Sequence, residues 1–267
     1  MTGSDPLFED WGAHWRRLVE DREAQASKFA DPHFWDKRAR NFAVATSGRK
    51  DGFLELLEPW LAPDRTLIDV GAGAGRYAAP LADRLDWVTA VEPSQGMRDL
   101  IPHRDNMTVI ASDWVHAEAA PADLVICCHV LYGVVDGPGF IEKLEAAARR
   151  RVFIQLRHGQ MLNPSDHLWE LMKDTPRARQ PEFGDLWNLL EQMGIHADVA
   201  VLRYQSFQSW ADEADFVEEY RPQLADAWDG AKARRWMDEN LVREADGRLV
   251  YGRANASSGV AHWQPRR

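Results

Sequence analysis

Cysteine is nearly absent from this chain. The two present, Cys127 and Cys128, are neighbours, so they cannot staple distant segments, and no metal-ligand spacing accompanies them. That excludes a disulfide-built or zinc-built scaffold, suits a reducing compartment, and makes a cytoplasmic protein the expectation. Long apolar runs are missing too: none approaches the roughly 20 residues that span a bilayer. Residues 1–10 are polar and acidic, unlike a secretory leader. Positive charge is in deficit, with 32 Lys and Arg against 42 Asp and Glu and a formal net charge of −10. Such a surface repels a phosphate backbone or an anionic membrane, so neither nucleic acid nor membrane is the expected partner. Arg149-Arg150-Arg151 is a local exception and reads as a solvated helix end, its cations set against the helix dipole.

What is present points to a large α/β domain. A chain of 267 residues with 45% hydrophobic content can bury a substantial core. Its 12 tryptophans are spread along the whole length, and most must pack helices, because each ring buries a large area. The organising stretch is Thr66 to Tyr77. A short apolar run there ends in Gly71, Gly73 and Gly75, followed by Ala-rich amphipathic sequence. This reads as strand, tight turn and helix, the order of a nucleotide-binding βαβ unit. Glycine tolerates positive φ and lets the backbone lie against a ligand. A dinucleotide fingerprint needs a third small residue where Arg76 stands. Here the pattern is G-x-G-x-G, with Asp69 two residues before it.

That pattern resembles the D/E-x-G-x-G-x-G motif of class I S-adenosylmethionine (SAM)-dependent methyltransferases. The resemblance covers roughly residues 35–157 and is sharpest over 69–132. It implies SAM as cofactor, held by Asp69, Gly71, Ala72, Gly73 and Gly75. It also implies that Glu92, at the end of the second strand, grips the ribose, with Pro93 and Met97 following. Asp113 is then expected at the adenine amino group, with Trp114 covering the ring. His129 is expected beside the methionine half of SAM. The segment Phe34-Trp35-Asp36-Lys37-Arg38-Ala39 is similar to one that small-molecule members fold over the site, which brings in Trp35 and Arg38.

Along the chain, residues 5–40 and 52–61 read as helices. Strands are expected at 67–70, 87–92, 106–111, 122–129 and 151–156, with helices between them. The near-continuous apolar run at 122–129 suits a parallel strand covered on both faces. After His158 come helical pieces, a sixth strand at 196–207, and final strands at 249–254 and 260–263, about forty residues beyond the sixth. The expected fold is α/β and Rossmann-like. It has a seven-stranded, mostly parallel sheet with helices on both faces. A helical cap is built from the N-terminus and from insertions after strands five and six. The chain 1–267 reads as one domain: an N-terminal helical cap (1–64), a SAM-binding half (65–158) and a substrate-side half (159–267).

A sulfonium methyl donor needs an acceptor held in line and water excluded. An alcohol acceptor also needs a base, and histidine is the usual one near neutral pH. His129 and His158 lie at strand carboxyl ends, and Tyr132 could orient an acceptor. The catalytic candidates are therefore His129, His158 and Tyr132, each with packing as its plainer alternative. O-methylation of a small or medium polar acceptor, a sugar or an aromatic metabolite, is the leading expectation. Trp169, Trp210, Trp228 and Trp236 would suit stacking on it. Two alternatives stay open: an NAD(P)-dependent oxidoreductase and a non-catalytic SAM-binding partner protein. The substrate is expected to be a small molecule or an oligosaccharide, a homodimer is left open, and no metal site is expected. Asp166, His167 and Glu170 read as a solvated helix face.

Overall fold

The computed structural model describes residues 10–26, 36, 39, 52–159 and 164–266. Trp35 and Arg38 lie outside the described residues, as does most of the segment that precedes Gly52.

The first strand, β1 (Thr66–Val70), sits centrally. Parallel to it run β2 (Trp87–Val91), β3 (Met107–Ile110), β4 (Ala122–Cys128) and β5 (Ala148–Arg157). The long strands β6 (Asp198–Trp210) and β8 (Leu249–Trp263) complete the order β3-β2-β1-β4-β5-β8-β6, with β8 antiparallel to both its neighbours. This is the expected seven-stranded, mostly parallel path. A short β7 (Leu241–Arg243) is added beside the start of β8. The two pieces expected at 249–254 and 260–263 are one continuous strand.

Alternation along the strands divides the core in two. Ile68, Val70, Val125, Cys127, Val152, Ile154 and Leu156 face one cluster. It is covered by α1 (Trp11–Ala26), α5 (Gly137–Ala147) and α7 (Phe183–Gln192). Leu67, Ile126, Phe153 and Val260 face the other, which includes α2 (Gly52–Leu57) and α3 (Ala78–Ala82). Local chemistry fixes the helix starts. The Asp136 carboxylate accepts the Gly139 N–H at 3.1 Å and caps α5. Trp15 of α1 is fully buried and donates its ring N–H to the Val134 carbonyl at 2.8 Å.

Arg149, Arg150 and Arg151 open β5 rather than closing a helix, because the chain turns extended at Ala148. Arg150 pairs with Asp123 at 3.0 Å, and Arg151 pairs with Asp198 while stacking 4.0 Å over Trp60. Arg150 and Arg151 are thus partnered strand residues, not a free basic patch.

The register shows where the cap grows from. Arg157, the last residue of β5, pairs with Ser258. The β8 residues before Ser258 and the β6 residues after Leu202 therefore run on past the carboxyl edge of the parallel strands. That ribbon, with β7, carries α6 (Pro164–Lys173), α8 (Glu213–Leu224) and α9 (Gly230–Asn240). A third cluster holds them together, including Trp169, Trp210, Phe216, Tyr220, Trp236 and Tyr251, with Trp228 packed against it. The tryptophans expected to stack on substrate are thus the cap's own core. Rings this large stabilise a small layer more by burial than by exposure. Asp166, read as solvated, pairs with Arg22 at 2.6 Å and ties this layer to α1.

Candidate active site

The site lies at the carboxyl edge of β1, β2, β4 and β5. Leaving β1, Gly71, Gly73 and Gly75 all take positive φ, at 70°, 56° and 80°. Gly71 and Ala72 donate their N–H groups to the Val91 carbonyl, at 2.8 and 3.1 Å, which ties the turn to β2. A Cβ on Gly71 would stand 2.3 Å from Val130 Cγ2, so only glycine fits.

Glu92 locks this turn. Its carboxylate accepts the Gly73 N–H on one oxygen and the Ser94 N–H on the other, each at 2.8 Å. Burial raises its pKa, opposed by those two N–H groups. Each oxygen keeps a lone pair for a further donor. Asp69, only 1% exposed, accepts the Ala78 N–H at the start of α3 while its Oδ2 has no partner. Burial lifts its pKa to about 7, with a contribution from Glu92.

Pro93 is exposed and Met97 buried beside Glu92. The helix α4 (Gln95–Arg98) starts there. Its Ser94 hydroxyl and Gly96 N–H both donate to Asp36, at 2.5 and 2.9 Å. Asp36 is the acid of the Phe34–Ala39 motif. Its carboxylate reaches the start of α4, close to Glu92. Beyond β3, Asp113 caps its own turn, accepting from His116 N–H at 3.0 Å and His116 Nδ1 at 2.8 Å. That pairing lowers its pKa. Trp114 is committed to the core, 4% exposed with Lys143 Nζ 5.0 Å from its ring centroid.

The chain leaves β4 through His129, which holds φ 61°, unusual for a residue with a side chain. Its N–H donates to the Gln155 carbonyl at 2.8 Å, which fixes it against β5. Its Nδ1 lies 2.8 Å from the Tyr132 hydroxyl, and that hydroxyl accepts the Arg157 N–H at 2.9 Å. The Arg157 guanidinium carbon lies 4.6 Å over the Tyr132 ring. Burial holds the His129 pKa at about 3, with the Arg157 and Arg76 charges adding to it. A ring held so far below neutral is a poor sink for a proton. His158 is exposed, stacks on Phe183 at 6.2 Å and donates its N–H to the Ser257 carbonyl, away from this group. The structure brings together Asp69, the glycines, Glu92, Met97, His129 and Tyr132, and leaves His158 at the rim.

Two residues of this constellation were not singled out from sequence: Gln155, buried with an unpartnered Oε1, and Arg157. Both are polar residues that follow the apolar run Val152 to Ile154 of β5, the one local signal that marks them.

Comparison with known proteins agrees with this geometry. A family model described as a methyltransferase domain matches residues 34–219. An uncharacterized protein of Haemophilus influenzae is 30% identical over 133 residues, covering 46% of this chain and 49% of that protein. The chain thus spans about half the length of the curated relative it matches. The crystal structure of a methyltransferase candidate from Bacillus halodurans superposes with a TM-score of 0.52 at 11% identity, over 81% of this chain and 100% of that one. The YcgJ protein of Bacillus subtilis gives 0.50 at 12%, over 80% and 97%. At such identities the structures speak to the fold alone.

Proposed function

Since the chain belongs to the methyltransferase-domain family, we propose that it transfers the methyl group of SAM to an oxygen of a small or medium polar acceptor. Membership sets the dinucleotide oxidoreductase alternative aside, as Arg76 in the third glycine position already suggested. The observation that carries the reading is the turn between Gly71 and Gly75, locked to Glu92 and backed by the orphaned Asp69 Oδ2.

These residues fit the cofactor. Gly71, Ala72, Gly73 and Gly75 offer a turn, its glycines at positive φ, whose backbone can lie against a ligand. Glu92 keeps lone pairs for the ribose hydroxyls, and Asp69 has a buried oxygen for a cationic donor on the methionine side. Asp113 serves the adenine amino group with lone pairs that His116 leaves free. Trp35 and Arg38 complete the set on the resemblance alone. When bound, SAM supplies a methyl group already activated on a sulfonium. The chain's work is positioning and exclusion of water. Tyr132 and His129 shape the wall beside the donor, and the β6–β8 ribbon with its helices roofs the carboxyl edge. The acceptor is a small molecule, and an oligosaccharide is the larger option. The division at 64 and 158 into cap, SAM-binding half and substrate half is part of the same reading.

Titration calorimetry with S-adenosylhomocysteine (SAH) tests it. Micromolar binding is expected in the wild type, and Glu92→Ala should weaken it by about tenfold or more, the worth of a charge-assisted hydrogen bond. Equal affinity in the two proteins would remove Glu92 from the site.

A further inference from the structure

Among the described residues Arg157 is, with Arg65 and Arg248, a half-buried arginine that meets no carboxylate, and it is the one stacked on Tyr132 beside His129. Arg22, Arg84, Arg104, Arg150, Arg151, Arg179, Arg243 and Arg266 each pair with a carboxylate. Among the described residues no carboxylate pairs with Arg157. It is half-buried at the last position of β5, stacked over Tyr132 and linked through the Tyr132 hydroxyl to His129. A partly desolvated cation without a counter-charge is costly unless a ligand supplies one. A planar guanidinium over a phenol ring is suited to a planar anion.

The neighbouring imidazole sharpens the chemistry. The Tyr132 hydroxyl accepts the Arg157 N–H and has its own proton to offer His129 Nδ1. In the tautomer in which Nδ1 takes that hydrogen bond, Nε2 carries the ring's proton and is a donor. The group beside the acceptor can give hydrogen bonds but is not arranged to take a proton.

We propose that Arg157 anchors an anionic acceptor and that the methyl-accepting group is a carboxylate, so that the product is a methyl ester. This rests on the methyl-transfer reading of the site. A carboxylate oxygen lone pair forms the new C–O bond as the methyl carbon–sulfur bond breaks, with its electron pair going to sulfur. No proton has to leave the acceptor, which is why a site with a donor imidazole suffices.

The carboxylate on Arg157 could instead be that of the methionine moiety of SAM, and the test separates the two. Acetate, hexanoate and benzoate, each beside its carboxamide, are titrated into the protein with and without saturating SAH. At least one acid is expected to bind about tenfold tighter than its amide. In Arg157→Gln that preference should vanish while SAH affinity stays within about twofold; Arg157→Lys should keep part of it. Acids and amides binding alike to the wild type would overturn the proposal. So would an Arg157→Gln variant that loses SAH affinity about tenfold or more, because the arginine then belongs to the donor's carboxylate. Wild-type protein that binds carboxylates without binding SAH would overturn the methyl-transfer reading and leave the anion site standing.

Discussion

Asp69 and His129, at the ends of adjacent strands, shift in opposite directions. Burial raises Asp69 from 3.8 to about 7. Relative to the unfolded chain, its contribution to stability is therefore present below pH 3.8 and lost as pH climbs to about 7. Burial and two arginines lower His129 from 6.5 to about 3, so its contribution is present above 6.5 and lost as pH falls toward 3. Between about pH 4 and 6.5 the two oppose each other. Urea unfolding of Asp69→Asn should rise more steeply with pH than wild type in that window, by up to about 1.4 kcal/mol per unit. His129→Asn, chosen because asparagine tolerates the left-handed backbone, should fall relative to wild type. Parallel curves for all three would refute the shifts. Gly71→Ala is strained twice, by φ 70° and by Val130. A loss of about 1–3 kcal/mol in denaturant unfolding and of most SAH affinity is expected. The glycines, Asp69 and Glu92 were legible because each is demanded by the backbone beside it. What holds His129 below neutral is not legible in the sequence, because Arg157, which adds to the effect of burial, is remote in sequence and close only through the register of β4 and β5. The same distance hid Arg157 itself.

Among the elements, β8 has the tightest fit. At Gly259, between β5 and β6, a Cβ would meet the Phe183 ring of α7 at 2.2 Å. Gly259→Ala should cost about 1–3 kcal/mol, read as a lower denaturant midpoint with an unchanged slope. An unaffected midpoint would mean that α7 moves away freely. The parallel strands were readable because doubly covered strands are apolar throughout and end in turn chemistry. The helix after the glycine turn is shorter than its Ala-rich pattern suggests, five residues in α3, because the chain must return quickly to β2. The short β7 had no signal of its own: three residues pair with β8 only after α9 has brought them there.

On the scale of the molecule, two clusters pack on the sheet and a third holds the cap. Trp236, which stacks with Phe216 and packs on Tyr251, is central to the third. Trp236→Ala should remove about 3–5 kcal/mol from that layer. Hydrogen exchange should quicken in α8, α9 and β7 while β1 and β4 stay protected. Uniform loss across the sheet would instead make cap and sheet one cooperative unit. The sheet's overall plan could be read from alternating strands and helices. The cap's interior could not, since a tryptophan reserved for ligand and one reserved for core look alike in sequence.

The strand order also bears on how the protein is made. Of the eight strands among the described residues β8 is translated last, yet it lies between β5 and β6, which do not pair with each other. Until residues 249–263 leave the ribosome, both of those strands carry bare edges of hydrogen-bonding groups, a template for association with other chains. Nascent chains stalled before Leu249 should therefore depend on chaperones in a way that the finished chain does not.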